Sequence, residues 1–187
     1  MSDLELAKSN LSGHTICLCR DGKYLFSDKR GIAPMMCFIA DGVDLKGYSV
    51  ADLIVGKAVA MLFVKCGIKQ VFARTLSQNG KRMLELHGIC CEYEILTEKI
   101  INRDGTDICP MEKTVQNTDD IEEGYLLLKD KIQSMKKSKK TEARFRLFYC
   151  RICIISCSRT WDIRRFRLKL FRKGGICQGS CGARIPA

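Results

Sequence analysis

The stretch from residue 101 to residue 113, INRDGTDICPMEK, holds the densest group of reactive and polar side chains in the sequence. Pro110 suits the first turn of a helix, where its missing N–H group costs nothing, so Cys109 becomes the N-cap residue. A thiolate is favoured at such a position, because free backbone N–H groups and the positive end of the helix face it. The stretch therefore predicts either a reactive cysteine beside an anion site or only a capped loop.

Glu112 is the third residue of this predicted helix, and we expect its carboxylate to accept the Cys109 N–H group. Serine or aspartate would cap a helix better than cysteine, which favours a functional role for Cys109. Asn102 and Arg103 precede it on a glycine-containing turn. They either bind a ligand or shape the loop.

Lys57 is the single charge inside a long apolar stretch, DLIVGKAVAMLFV at residues 52–64. A buried ammonium group is unfavourable unless it is paired or faces a cavity. Gly56 beside it weakens a helix, which makes sense if another group packs closely there. We therefore expect either a pocket with a ligand near Gly56, or a lysine whose stem covers apolar surface at the sheet edge.

The helix that carries Lys57 is predicted to begin at a capping box, Ser49 to Asp52, and to end at Lys65. Asp52 then caps this helix, and the alternative is that it binds the ligand. Arg30 follows a predicted hairpin, where it either contacts an anion or is simply exposed.

Turn and periodicity signals predict the elements that position these residues. Asp21-Gly22 between two apolar runs predicts a β-hairpin, since such a tight turn needs positive φ. Asp119 and Glu122 form a second capping box, which predicts a last helix through Gln133. The other predicted elements are helices over 4–11, 32–40 and 78–87 and strands over 68–76 and 89–96. This alternation predicts an α/β fold with three layers, α/β/α, around a mixed sheet.

Charge divides the 187-residue chain into two parts. Residues 1–135 carry 17 Lys and Arg against 19 Asp and Glu, whereas residues 136–187 carry 15 against 2. We therefore predict a folded domain over 1–135, the body, and a basic tail rich in cysteine and arginine over 136–187. The N-terminus is polar and acidic, so we expect no export signal, a cytoplasmic location and reduced thiols for the twelve cysteines.

Several motifs of the body resemble a bacterial family known as domain of unknown function 1893, over about residues 4–135. The resemblance implies a cytidine-deaminase-like fold, a three-layer α/β/α arrangement. The matching residues are Arg30 to Pro34, Asp44 to Ser49, Val55 to Ala58, His87 to Ile89, Ile101 to Arg103 and Cys109 to Lys113.

The resemblance does not extend to zinc chemistry. Zinc deaminases carry a His/Cys-Ala-Glu motif on one helix and Pro-Cys-x-x-Cys on the next. Here the corresponding stretches read Val55-Gly56-Lys57 and Ser77-Gln78-Asn79-Gly80. A catalytic zinc wants about three protein ligands, which the sequence does not supply. We therefore expect no metal, no cofactor and no zinc-dependent deamination.

The tail allows three interpretations. Cys150, Cys153, Cys157, Cys177 and Cys181 could form a small zinc finger, although their irregular spacing argues against one. Residues 163–171 alternate basic and apolar residues as a nucleic-acid or lipid-binding arm does. The abrupt change of composition instead favours a shifted reading frame or a broken gene end. We assign no function to the tail.

The sequence thus predicts a deaminase-like protein that binds a small anionic metabolite or nucleotide, and it leaves open whether the protein is an enzyme. We expect a homo-oligomer, no membrane partner, and nucleic acid only through the tail. The alternatives are a non-catalytic oligomerisation or regulatory module, or nucleic-acid binding. The predicted catalytic residues are Cys109 and Lys57, and the predicted ligand contacts are Arg30, Asp52, Gly56, Asn102, Arg103 and Glu112.

Overall fold

The computed structural model of the protein describes residues 1–137, so the predictions for the tail fall almost wholly outside the described residues. A last helix, α6, covers residues 121–137, up to the end of the described part. The elements before it are α1 (Asp3–Ser9), β1 (Ile16–Arg20), β2 (Lys23–Ser27), α2 (Ala33–Ala40), β3 (Ser49–Val55), α3 (Lys57–Lys65), β4 (Gln70–Ser77), α4 (Gln78–Leu86), β5 (Cys90–Thr97) and α5 (Pro110–Thr114).

The five strands form one mixed sheet in the order β2-β1-β3-β4-β5. β1 is antiparallel to both of its neighbours, whereas β3, β4 and β5 run parallel. The predicted hairpin is confirmed, because Asp21 and Gly22 between β1 and β2 have φ values of 51° and 72°. Parallel strands need crossover connections, which α3 and α4 provide.

The sheet buries apolar side chains on both faces. Residues alternate along β1: Cys17 contributes to a cluster with α1, and Leu18 contributes to a larger cluster with α2, α3, α4 and α6. Successive residues of a strand point to opposite faces, so helices cover the sheet on both sides. The predicted three-layer α/β fold with a mixed sheet is therefore confirmed.

The predicted helix from Ser49 to Lys65 is wrong in its first half. Residues Ser49–Val55 form β3, the middle strand of the sheet, and the helix begins only at Lys57. A parallel strand that is buried on both faces reads as a continuous apolar run, which the sequence does not separate from the buried helix that follows. Gly56, placed inside the helix by the sequence, is its N-cap.

The second predicted capping box is displaced by one residue. The N–H group of Glu123 donates to Oδ1 of Asp120 at 2.7 Å, so Asp120 caps α6. Asp119 points elsewhere, as described below. None of the helices in residues 1–137 combines the length and apolar character that crossing a lipid bilayer requires.

Candidate functional site

The N-termini of α3 and α4 lie side by side where β3 and β4 end. Gly56 is the N-cap of α3, and Ser77 caps α4 by accepting the Gly80 N–H group at 3.0 Å. A Cβ atom added to Gly80 would lie 3.0 Å from the carbonyl carbon of Gly56. The two helix starts can approach this closely because Gly80 has no side chain.

Glu112 closes the N-terminus of α3. Its carboxylate accepts the backbone N–H groups of Lys57 at 3.0 Å and Ala58 at 2.9 Å. A Cβ atom on Gly56 would collide with this carboxylate, which explains the glycine. The sequence predicted that the Glu112 carboxylate accepts the Cys109 N–H group. This prediction is wrong, because the Cys109 N–H group donates to the carbonyl of Ile100 at 2.8 Å.

Lys57 is a buried lysine whose ammonium group has two partners. Nζ lies 2.7 Å from Oδ1 of Asp119 and 3.3 Å from the carbonyl oxygen of Gln116. The ammonium group holds the pKa of the Asp119 carboxyl below its ordinary value, first through the hydrogen bond and then through its charge. The pair explains how an ammonium group is tolerated at this depth.

Arg82 extends the same charge cluster along α4. One of its terminal nitrogens lies 3.9 Å from Oδ2 of Asp119, and its side chain is 78% exposed. Beside this cluster is a cavity of about 130 Å³. It is lined by Lys57, Asn79, Arg82, Met83, Leu86, Gln116 and Asp119.

The structure brings together three of the residues that the sequence selected, Gly56, Lys57 and Glu112. Cys109 is the N-cap of α5 and is half-buried, as predicted for its position, but its side chain makes no capping hydrogen bond. It does not line the cavity. A catalytic role for Cys109 therefore stays a prediction.

Asn102 and Arg103 lie on the turn that precedes α5. Oδ1 of Asn102 accepts the Thr106 N–H group at 3.0 Å, so this side chain shapes the loop. The Arg103 side chain is exposed. Arg30 is also exposed, and its carbonyl accepts the N–H group of Ala33 at the start of α2. Neither arginine lines the cavity.

Asp52 lies within β3 and not at a helix start, so the predicted capping role is wrong. The residue is 7% exposed, and its Oδ1 accepts the Ile54 N–H group at 3.0 Å. Burial raises the pKa of the Asp52 carboxyl to about 7, against which the hydrogen bonds from backbone N–H groups act only partly. It does not line the cavity beside Lys57.

Sequence reasoning missed the α4 wall of the cavity. Asn79, Arg82, Met83 and Leu86 follow the spacing i, i+3, i+4 and i+7, so they lie on one face of this helix. The predicted helix over 78–87 contained this signal. The sequence did not show that this face of α4 lies next to Lys57, because no local pattern indicates that α4 packs beside the start of α3.

The donor set at these helix starts does not fit a zinc ion. Zinc in proteins is held by thiolate, imidazole and carboxylate groups. The first residues of α3 and α4 are Lys57, Ala58, Gln78 and Asn79, which offer none of these. Among residues 1–137, no group of three His, Cys, Asp or Glu side chains could hold a metal ion.

Fold and site define an α/β protein with a small polar cavity where two helices begin after parallel strands. The chain belongs to the family described as domain of unknown function DUF1893, whose model matches residues 5–132. The resemblance stated from the sequence motifs is thereby confirmed. No curated protein matches this chain.

Two solved structures show what the chain is similar to. A crystal structure of a DUF1893 family protein from Thermotoga maritima has 23% identity and a TM-score of 0.64, and the match covers 70% of this chain and 91% of that one. The other is a diaminohydroxyphosphoribosylaminopyrimidine deaminase/5-amino-6-(5-phosphoribosylamino)uracil reductase from Thermotoga maritima. It has 20% identity and a TM-score of 0.35, and the match covers 49% of this chain and 34% of that chain.

Proposed function

We propose that this protein binds a small anionic ligand in the cavity between the start of α4 and Lys57. The observation that carries the proposal is the charge at this cavity. Lys57 and Arg82 supply two positive charges and Asp119 supplies one negative charge, so the lining carries a net charge of +1. A positive cavity with amide donors favours a phosphate or carboxylate group.

Arg82 is the side chain best placed to bind the ligand. A guanidinium group has five N–H donors in a fork that matches carboxylate and phosphate oxygens. The contact of Arg82 with Asp119 is long, at 3.9 Å, so it engages little of this capacity. The Asn79 side chain, which also lines the cavity, adds a further amide donor.

The small volume of the cavity limits what can enter it. The cavity, of about 130 Å³, has room for a phosphate or carboxylate group. We therefore expect the anionic group to sit in the cavity while the rest of the ligand lies at its open side. This deepens the predicted preference for an anionic metabolite or nucleotide without fixing the rest of the molecule.

Thermal unfolding of the full chain tests the proposal. Inorganic phosphate, a nucleoside monophosphate and a dicarboxylate are added at constant ionic strength, and at least one should raise the melting temperature, because a ligand specific to the folded state stabilises it. Arg82→Gln should abolish that rise. Arg74→Gln is the matched control, since Arg74 is also an exposed arginine and pairs with Glu94 at 3.5 Å. Equal rises in the wild type and Arg82→Gln would refute the proposal.

Asp119 offers a second variant for the same experiment. Its carboxylate competes with a bound anion for Lys57 and Arg82, the same two cations. Asp119→Asn removes this competitor, so the same anion should bind several-fold more tightly than in the wild type. A weaker affinity would show that Asp119 holds the cavity open and does not compete for its cations.

A second candidate function, self-association, is favoured by an apolar row across the parallel strands. Ile54 and Ile95 both pair with Thr75 of the strand between them, so all three lie side by side on one face. Ile54 is 51% exposed and Ile95 is 56% exposed. Burying such a row in a partner would release water from apolar surface, as homodimer interfaces do.

Light scattering on the eluting full chain tests self-association. Ile95→Lys should lower the measured mass of the particle, whereas Ile101→Lys should not. Ile101 is a suitable control because it is 52% exposed but lies outside the row, after β5. A mass that does not respond to Ile95→Lys would exclude this surface as the interface.

A further inference from the structure

We infer that Cys37 is a thiol oxidation site for small hydroperoxides, in which the ammonium group of Lys29 stabilises the reacting thiolate and supplies the proton for the leaving oxygen. This site lies on α2, and the contacts on which it rests involve none of the residues that line the cavity beside Lys57. It is therefore independent of the proposed ligand-binding function.

The contact between the two side chains is direct. Nζ of Lys29 donates to Sγ of Cys37 at 3.0 Å. Cys37 is half-buried on α2, so its thiol is restricted but still reachable from solvent. Thiolate, and not thiol, is the reactive nucleophile, and a nearby ammonium group favours it.

The backbone of Lys29 is fixed at both of its polar groups. Its N–H group donates to Oγ of Ser27 at 3.2 Å, and its carbonyl accepts the Thr15 hydroxyl at 2.6 Å. A lysine on a connecting segment would otherwise have much conformational freedom. These two bonds fix the backbone from which the Lys29 side chain reaches Cys37.

The charge on Lys29 persists at neutral pH. The hydrogen bond to Cys37 raises the Lys29 pKa, and the charges of Cys37 and Asp41 raise it further, while partial desolvation lowers it. Lys29 is therefore protonated throughout the range in which a thiol begins to ionise. A protonated Lys29 next to the thiol can both stabilise the Cys37 thiolate and supply a proton to the leaving oxygen.

Four of the six other thiols of residues 1–137 are disfavoured as nucleophiles by their surroundings. Burial raises the pKa of Cys17 and of Cys66 to about 11, and it also raises the pKa of Cys91. Cys19 is raised by burial and by the nearby Asp3 carboxylate. All four are thus poorer nucleophiles than an ordinary thiol at neutral pH.

The reaction balances with a hydroperoxide as the only co-reactant. The Cys37 thiolate attacks the terminal oxygen of the peroxide, the S–O bond forms and the O–O bond breaks. The departing alkoxide or hydroxide takes the proton from the Lys29 ammonium group and leaves as an alcohol or water. Cysteine is oxidised to sulfenic acid, the peroxide is reduced, and Lys29 regains its proton from solvent.

The test treats the full chain with limiting hydrogen peroxide and traps sulfenic acids with a cyclic dione, followed by mass-spectrometric mapping. Cys90 is the internal reference, because it is an exposed free thiol to which no reactive role is assigned. We expect Cys37 to be trapped about fivefold faster than Cys90, the size of effect that an exposed ion pair gives. High salt should reduce the difference by screening.

Variants separate the role of Lys29 from simple exposure of Cys37. Lys29→Met should lower the Cys37 rate to that of Cys90 or below, and Lys29→Arg should keep most of the wild-type rate. Lys23→Met removes an exposed lysine of the neighbouring strand β2 and should change nothing. The inference is overturned if Cys37 reacts no faster than Cys90, or if Lys29→Met leaves the Cys37 rate unaltered.

Discussion

At the scale of single residues, the side chain on which the site depends most is Glu112. One carboxylate satisfies the first two N–H groups of α3 from a position 55 residues further along the chain. It therefore acts as a helix cap and as a link between α3 and α5. The N-terminus of α3, where a bound anion would otherwise be favoured, is already filled by this residue.

Glu112→Ala should lower the free energy of unfolding by about 1–2 kcal/mol, the range of a lost N-cap, because two N–H groups of α3 lose their acceptor. Denaturant unfolding measures the change. Glu85→Ala is the control, since Glu85 is exposed on α4 and its contact with Lys81 is 3.7 Å long. It should change stability by less than about 0.5 kcal/mol. If both variants lost the same amount, the carboxylate would not be a cap.

The buried carboxyl group of Asp52 leads to a prediction about how the free energy of unfolding depends on pH. The pKa of its carboxyl is about 7 in the folded protein against an ordinary value of 3.8, so the folded state binds more protons than the unfolded state between these limits. The stability contributed by this group is complete below about pH 4 and is lost as pH rises to about 7. The expected loss is of the order of 4 kcal/mol.

Asp52→Asn should remove this pH dependence, because asparagine is neutral and can still accept the Ile54 N–H group. The measurement is the unfolding free energy of both proteins from pH 4 to 8. Asp130→Asn, at an exposed position of α6, should follow the wild-type curve. If the unfolding free energies of the wild type and Asp52→Asn changed with pH in the same way, another group in the fold would have to compensate the charge of the Asp52 carboxylate.

At the scale of elements, the geometry of the site depends on the close approach of α3 and α4. A Cβ atom at position 80 would meet backbone atoms of Gly56 at 3.0 and 3.2 Å. Backbone atoms at a helix start cannot move aside as a flexible side chain can. The distance between the two helix starts is thus set by the absence of a side chain.

Gly80→Ala should have two opposing effects on the free energy of unfolding. Alanine in a helix is favoured over glycine by about 1 kcal/mol, whereas overpacking against a rigid neighbour costs about 1–3 kcal/mol. We expect the second effect to dominate, so the free energy of unfolding should fall. Gln78→Ala, at the exposed first position of α4, reports the propensity effect without the contact. A more stable Gly80→Ala protein would show that the helices separate without loss.

Most elements could be predicted because their signals are local. Asp21-Gly22 encodes its own turn, and the Pro110 start of α5 is confirmed. β3 was missed because Ser49-Val50-Ala51-Asp52 imitates a capping box and the apolar run continues without interruption into α3. The period of a strand buried on both faces carries no information about which residues face which side.

The site was only partly predictable, because its contacts join distant segments. Gly56 and Lys57 were selected from one anomaly, a charge and a glycine in an apolar run. Asp119 was taken for a cap, since an aspartate before a helix usually is one. Its pairing with Lys57 depends on how α6 approaches α3, which three-dimensional packing alone decides.

At the scale of the whole molecule, the described residues form a closed core. Leu128 on α6 is completely buried, and Gly124 on the same helix leaves room for the Met61 side chain of α3. Beyond Leu128 the described residues are at most partly buried. The family match likewise ends at residue 132, close to the predicted boundary of the body.

Removing residues 136–187 should therefore leave a cooperatively folded protein. We expect the melting temperature to change by less than about 4 °C, which corresponds to about 1 kcal/mol for a domain of this size, because Leu128, the last completely buried side chain of residues 1–137, lies before the cut. Calorimetry on the full chain and the shortened chain measures this. Removing residues 121–187 is the comparison, since it deletes Leu128 from the core and should abolish cooperative unfolding. A large loss of melting temperature on removing residues 136–187 alone would show that the tail completes the core of the body.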